Sequence, residues 1–229
     1  MVRKPLLSAV LITKNAEPTI DATLRSVRFA GEIIVLDDHS GDRTVEISRR
    51  HGARIYTDRR PPGGFGPARN LAMSKARGKW ILFIDADEVV SPALRSEIMR
   101  TIRNPRSPDA FEMPRRNFYF GKWVRFGGRY PDRQRRLFRA GMASCDEEYG
   151  RRKRGGHERL LVHGTMGRLT NPLDHHPYPD PDEYLRKLGF YGNMSAESLR
   201  AKGIRPGFWT ALRYLFLLPV SRFIRRFIF

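Results

Sequence analysis

The first hundred residues alternate between short apolar runs and longer amphipathic stretches. "LLSAVLIT" (6–13), "EIIVL" (32–36), "ARIYT" (53–57) and "KWILFI" (79–84) are too short for helices and nearly unbroken in apolar character. Each reads as a strand covered on both faces. Between them, "EPTIDATLRSV" (17–27) sets Ile20, Leu24 and Val27 on one helical face, with Pro18 near the first turn. A second helix is predicted from about Asp42, and "GPARNLAMSKA" (66–76) suits a third, stopped by Gly78. "SPALRSEIMRTI" (91–102) closes the series, with Ser91 as N-cap and Leu94, Ile98 and Ile102 on one stripe. The βαβαβαβα order predicts a mostly parallel sheet with helices on both faces. Ligands of such sheets bind beyond the carboxyl ends of the strands, where Asp37, Asp38, Asp85 and Asp87 all fall.

From about residue 110 the texture changes. "AFEMPRRNFYF" (110–120), "RQRRLFR" (133–139) and "HERLLVH" (157–163) predict shorter strands between Gly- and Arg-rich loops, a smaller mixed and partly antiparallel region. A long helix is expected over 180–203, with Pro181 at its start and Gly203 just past its end. "FWTALRYLFLLPVSRFIRRFIF" (208–229) is apolar and basic without one acid. The expected division is a domain over 1–205, with halves 1–109 and 110–205, followed by an amphipathic basic segment, 206–229.

Composition changes this picture in one respect. With 40% hydrophobic and 29% charged residues the chain is globular in character, but its net charge of +19 calls for an anionic partner. Cys145 is the single cysteine, which rules out an intrachain disulfide and a cysteine-rich zinc site and suits a reducing compartment. The opening "MVRKPLLSAVLITKN" lacks a small-residue cleavage pattern and reads as the first strand. "YLFLLPV" is far short of the ~20 residues a membrane span needs.

The acids carry the candidate chemistry. Asp85 and Asp87, two apart, would lie ~6.6 Å from each other along a strand. A shared ion would therefore require a turn there, or direct ligation by one of them. Mg²⁺ or Mn²⁺ held by one or two carboxylates plus substrate phosphates is the usual arrangement for hard cations. In "LDDHSGDRT" (36–44), Asp37 and Asp38 sit where a carboxylate accepts hydrogen bonds from a ribose or base. The first strand leads to "TKNAEPT" and not to a G-x-G-x-x-G loop, which argues against a dinucleotide. "PPGGFGPARN" (61–70) is a Gly-rich loop ending in Arg69, a residue suited to bidentate contact with a base or phosphate.

In order and spacing, "VLITKN", "EIIVLDDHSGDRT", "GPARN" and "GKWILFIDADE" resemble the nucleotide-sugar half of family-2 inverting glycosyltransferases with the GT-A fold. His39 and Arg43 stand where that family typically has Gly. "YPDRQRRLFR", "HERLLVHG" and "LDHHPYPDPDEYLRKLGFYG" resemble a bacterial subgroup that includes lipopolysaccharide inner-core glucosyltransferases. The resemblance implies an α/β GT-A fold, Rossmann-like and mostly parallel, with a smaller mixed antiparallel acceptor region. It implies nucleotide contacts from Thr13, Asn15, Asp37, Asp38, Arg69 and Asp85. It makes Asp87 the principal ligand of Mn²⁺ or Mg²⁺, beside Asp85. Of His163, His175 and His176, one of which could complete the shell or contact phosphate, His175 and the adjacent His176 are the better candidates. It calls for a catalytic base in the acceptor half, for which Glu158 is the first choice and Asp132 the second. The reaction implied is inverting transfer from a nucleotide sugar, with a uridine-linked donor expected, to a lipid-linked or phosphorylated glycan such as lipopolysaccharide core. A polyprenyl-phosphate acceptor and a non-catalytic nucleic-acid-binding role are the alternatives.

Between Arg115 and Arg139 nine basic residues interleave with Phe118, Tyr119, Phe120, Trp123, Phe126 and Tyr130. Such a mixture suits single-stranded nucleic acid, a phosphorylated glycolipid or an anionic membrane surface. No nucleic-acid-binding module is recognisable, so nucleic acid is not expected. The tail has the composition of an interfacial helix on acidic lipid, broken near Pro219. Together these place the chain, as an expectation, on the cytoplasmic face of a bacterial inner membrane as a peripheral protein.

Overall fold

The computed structural model describes residues 4–58, 65–146, 160–201, 203–204 and 207–227. Four parallel strands, β1 (Leu7–Thr13), β2 (Glu32–Asp37), β3 (Arg54–Thr57) and β4 (Trp80–Phe83), lie in the order β3-β2-β1-β4. Their continuous apolar character follows from burial on both faces. Leu7, Ala9 and Leu11 of β1 pack into one core cluster with Ile20 and Leu24 of α1 (Glu17–Ser26) and Leu94 and Ile98 of α4 (Pro92–Arg103). Val10 turns the other way, joining Ile34, Ala68 and Ala72 in a second cluster that includes α3 (Phe65–Ser74). Helix α2 (Thr44–Arg50) connects β2 to β3. The Ser91 hydroxyl accepts a hydrogen bond from the Leu94 amide at 3.2 Å, the N-cap expected from the sequence. Gly78 is demanded by close approach: a Cβ there would come within 2.4 Å of the Ser8 hydroxyl oxygen.

The second half extends the same sheet. An antiparallel strand, Asp132–Arg139, pairs with β4, and beyond it come Ala110–Tyr119, Leu173–Tyr178 and Glu88–Val90. In chain order these are β5 (Glu88–Val90), β6 (Ala110–Tyr119), β8 (Asp132–Arg139) and β12 (Leu173–Tyr178). Three short pieces complete the set: β7 (Lys122–Trp123) and β11 (Met166–Arg168) both pair with β6, and β9 (Ala143–Cys145) pairs with β10 (Leu160–Val162) in a separate ribbon. The mixed, partly antiparallel character expected after residue 110 is present. The sequence reading did not foresee β5 and β12. β5 is three residues long, and β12, "LDHHPY", has little apolar signal. Open edges of neighbouring strands, and not local propensity, make them extended.

Helix α5 (Pro181–Ala201) follows the expected span. The tail forms α6 (Phe208–Ala211), a π-helical stretch (Leu212–Leu217) and α7 (Leu218–Phe227). In place of the expected break near Pro219, the helix runs on, with the widened turns immediately before the proline. No helix among the described residues is long and apolar enough to cross a membrane.

Candidate active site

Strand order reverses between β1 and β4, since β2 and β3 lie to one side of β1 and β4 to the other. The crevice outside their carboxyl ends is where an open α/β sheet binds ligands. A cavity of about 580 Å³ lies there. Thr13, Asn15 and Asp38 line it from the β1 and β2 ends, Asp87 and His176 from the β4 and β12 side, and Arg186 and Lys187 of α5 from across the mouth.

Each wall has a local cause. The Asn15 backbone adopts a positive φ of 49°, and its side-chain oxygen accepts the Gly41 amide at 2.8 Å, so the loop after β1 is stapled to the loop after β2. Asp37 is buried and accepts both the amide and the hydroxyl of Ser40, at 2.9 and 2.5 Å. It is not among the cavity residues, whereas Asp38 is, with Lys14 at 3.3 Å. The buried Thr13 hydroxyl, on a residue that lines the cavity, has no hydrogen-bond partner among the described residues. An orphaned hydroxyl costs about 1–3 kcal/mol unless a ligand satisfies it.

The acids of "DADE" separate by role. Apolar β4 ends at Phe83 and the chain turns, the Glu88 amide donating to the Asp85 carbonyl at 3.0 Å. Asp85 receives Arg69 at 3.0 Å on one oxygen and Arg136 on the other. Glu88 is fully buried; one oxygen accepts the Asp85 amide at 2.9 Å, and the other meets Arg136 at 2.7 Å and Arg115 at 3.0 Å. Burial alone would raise the Asp85 pKa, but the charges of Arg136 and Arg69 outweigh it and hold the carboxyl well below the usual range. Arg136 is correspondingly held in its charged form by Asp85 and Glu88 against the effect of burial.

Asp87 instead faces the cavity. Its Oδ1 lies 3.5 Å from His175 Nε2, and its carbonyl accepts the His176 amide at 2.8 Å. Burial raises its pKa, but His175 brings it below the ordinary carboxylate value. His175 Nδ1 is 2.7 Å from Asn117 Oδ1, and Asn117 Nδ2 donates to Asp132 at 3.2 Å. With Asn117 in that orientation its Oδ1 accepts from His175 Nδ1, and this fixes the ring with Nε2 directed at Asp87. Burial also lowers the His176 pKa and keeps that ring neutral at pH 7. Among the described residues no three His, Cys, Asp or Glu side chains cluster as a closed metal site. An ion here would take Asp87 and His175 from the protein and further oxygens from a ligand, which fits Mn²⁺ or Mg²⁺ bound with phosphates.

Glu158 lies outside the described residues. Asp132 accepts Arg115 at 2.6 and 2.9 Å and Gln134 at 2.7 Å; burial raises its pKa, and Arg115 more than reverses this.

The family model described as glycosyl transferase family 2 matches residues 8–176. This chain belongs to that family. The lipopolysaccharide core biosynthesis glycosyltransferase LpsC of Rhizobium meliloti is 25% identical over 224 residues, which cover 96% of this chain and 80% of LpsC. An uncharacterised glycosyltransferase of Rickettsia bellii is 39% identical over 93 residues, but the match spans only 40% of this chain and 31% of that relative. Among solved structures, glucosyl-3-phosphoglycerate synthase from Mycobacterium tuberculosis with Mn²⁺ and UDP-glucose superposes with a TM-score of 0.53 at 19% identity, covering 89% of this chain and 81% of its own. Staphylococcus aureus TarS with UDP-GlcNAc gives 0.55 at 15% identity, covering 78% and 60%. These likenesses are of fold, and the fold is GT-A.

In this family-2 glycosyltransferase the sequence reading passed over Arg136, Arg115 and Asn117, which hold the DADE turn and orient His175. A signal existed for the first: Arg136 opens the buried run Arg136–Leu137–Phe138 of β8, an odd place for an unpaired charge.

Proposed function

We propose that this glycosyltransferase moves a sugar, with inversion, from a UDP-linked donor to a phosphorylated or lipid-linked glycan. The observation that carries the reading is the switch-point cavity: an orphaned Thr13 hydroxyl and Asp38 at one end, and Asp87 with an oriented His175 at the other. Its volume of about 580 Å³ suits a small ligand. Thr13 and Asp38 hold the nucleoside, with Asn15, Asp37, Arg69 and Asp85 shaping the loops that present them. Asp87 and His175 would hold Mn²⁺ or Mg²⁺, which when bound neutralises the departing diphosphate. Glu158 takes the proton from an acceptor hydroxyl, whose oxygen attacks the anomeric carbon from the face opposite the diphosphate. The LpsC likeness favours a lipopolysaccharide core acceptor. Such an acceptor lies at a membrane, and the exposed Val220, Phe223 and Ile224 of α7, beside Arg222 and Arg225, suit an anionic surface on its cytoplasmic side.

Calorimetry with UDP tests the donor assignment. The expected result is UDP binding that requires Mn²⁺ or Mg²⁺ and is lost in Asp87→Ala while the melting temperature stays within a few degrees of the parent. Equal UDP affinity in Asp87→Ala, or binding indifferent to chelation, would refute it.

A further inference from the structure

Leading away from the donor cavity is a continuous line of rings and guanidinium groups that the donor chemistry does not use. It starts at His176, which lines the cavity and stacks on Phe118 with centroids 4.8 Å apart and planes 16° apart. The Arg116 guanidinium lies over both Phe118 and Trp123, 5.7 Å from each ring. Trp123 meets Tyr130 edge-on at 5.3 Å. Arg125 then lies over Trp123 at 5.6 Å and over Phe126 at 4.8 Å. The β6–β7 hairpin and the loop after it thus carry an unbroken surface from the cavity outward.

Two features separate this line from ordinary packing. Trp123 is 37% exposed and Phe126 70%, so large apolar rings face water where a core would cover them. Arg116 is neutralised by Asp174 at 2.6 Å, but Arg125 and Arg129 have no acidic partner among the described residues. Residues 113–131 contain no Asp or Glu at all. Exposed ring faces beside unneutralised guanidinium groups suit a ligand with apolar faces and fixed anionic groups.

We propose that this surface is the acceptor-binding site and that it takes a phosphorylated oligosaccharide. Sugar rings lie on Trp123 and Phe126, and phosphate groups pair with Arg125 and Arg129. The proposal rests on the glycosyltransferase reading above and deepens it. Continuity with His176 favours a glycan over a nucleic acid, because the ligand on this surface must deliver a hydroxyl to the donor cavity.

The test measures binding of a phosphorylated lipopolysaccharide core oligosaccharide, and of the same oligosaccharide after phosphatase treatment, to the full chain. UDP binding is measured in parallel. The expected result is at least about tenfold tighter binding of the phosphorylated form, lost in Arg125→Ala/Arg129→Ala and weakened by a similar factor in Trp123→Ala. UDP affinity should stay the same in each variant. Equal binding of the two oligosaccharides would overturn the proposal. So would variants that bind the phosphorylated form like the parent, or displacement of it by a single-stranded oligonucleotide at lower concentration. Failure of the parent chain to bind UDP would count against the donor assignment instead, since that measurement does not involve this surface.

Discussion

Replacing Arg136 with methionine removes the one cation among the described residues that touches both Asp85 and Glu88, and keeps most of the volume of its aliphatic stem. Arg136 is 4% exposed, and its guanidinium also lies 5.8 Å from the Phe83 ring, so water cannot replace the lost charge. Breaking a buried ion pair from one side costs about 3–5 kcal/mol. The lower end applies, because Arg69 still reaches Asp85 and Arg115 still reaches Glu88. For a chain of this length about 3 kcal/mol corresponds to a fall in melting temperature of roughly 6–12 °C. The pH dependence has a definite sign. Asp85 has a depressed pKa in the folded chain, so its stabilising effect is complete above about pH 4 and fades as pH falls toward the folded value. Without Arg136 that depression shrinks. The variant's deficit should therefore be largest near neutral pH and narrow as the medium is acidified. Thermal unfolding followed by circular dichroism between about pH 7 and about pH 2 spans that window and measures both quantities. A melting temperature within about 2 °C of the parent at pH 7, or a deficit that does not narrow with acid, would refute the view that Arg136 holds this turn.

Other substitutions separate binding from folding. Thr13→Val should leave the unliganded melting temperature unchanged or slightly raised, since it deletes an unpartnered hydroxyl, while weakening UDP binding by about 2–10-fold in calorimetry. A drop of several degrees without ligand would mean that the hydroxyl is satisfied inside the protein. Glu158→Gln should lower kcat by about 10²–10⁴-fold with UDP affinity intact, and near-normal turnover would remove Glu158 as the base. Arg222→Glu/Arg225→Glu should reduce cosedimentation with anionic vesicles by about tenfold or more, since each basic residue near such a surface contributes about 1 kcal/mol. Unchanged sedimentation would release α7 from the membrane role.

The parallel half of the sheet was legible along the chain because each element there carries its own signal. Runs such as "EIIVL" and "KWILFI" are apolar on both faces, Ser91 caps a helix through a contact three residues away, and the helical stripes are internal to their segments. The acids at strand ends were legible for the same reason: topology follows from element order, and ligand position from topology. Elements held by distant partners were not. β12 is a strand because β6 and β5 present free edges to it, and it alone carries His175 and His176 to Asp87.

The same division runs through the DADE turn. A strand that ends in three acids is a property of ten consecutive residues, and with it came the expectation of a polar, ligand-facing edge. Which acid faces the cavity depends on Arg69, 16 residues away, Arg136, 51 residues away, and Arg115, 27 residues from Glu88. Their guanidinium groups pair with Asp85 and Glu88 and leave Asp87 turned toward the cavity beside His175. Coulombic pairing acts through space and without regard to sequence separation, so only the folded sheet, with β8 laid against β4, could decide among carboxylates that the chain presents as near equals.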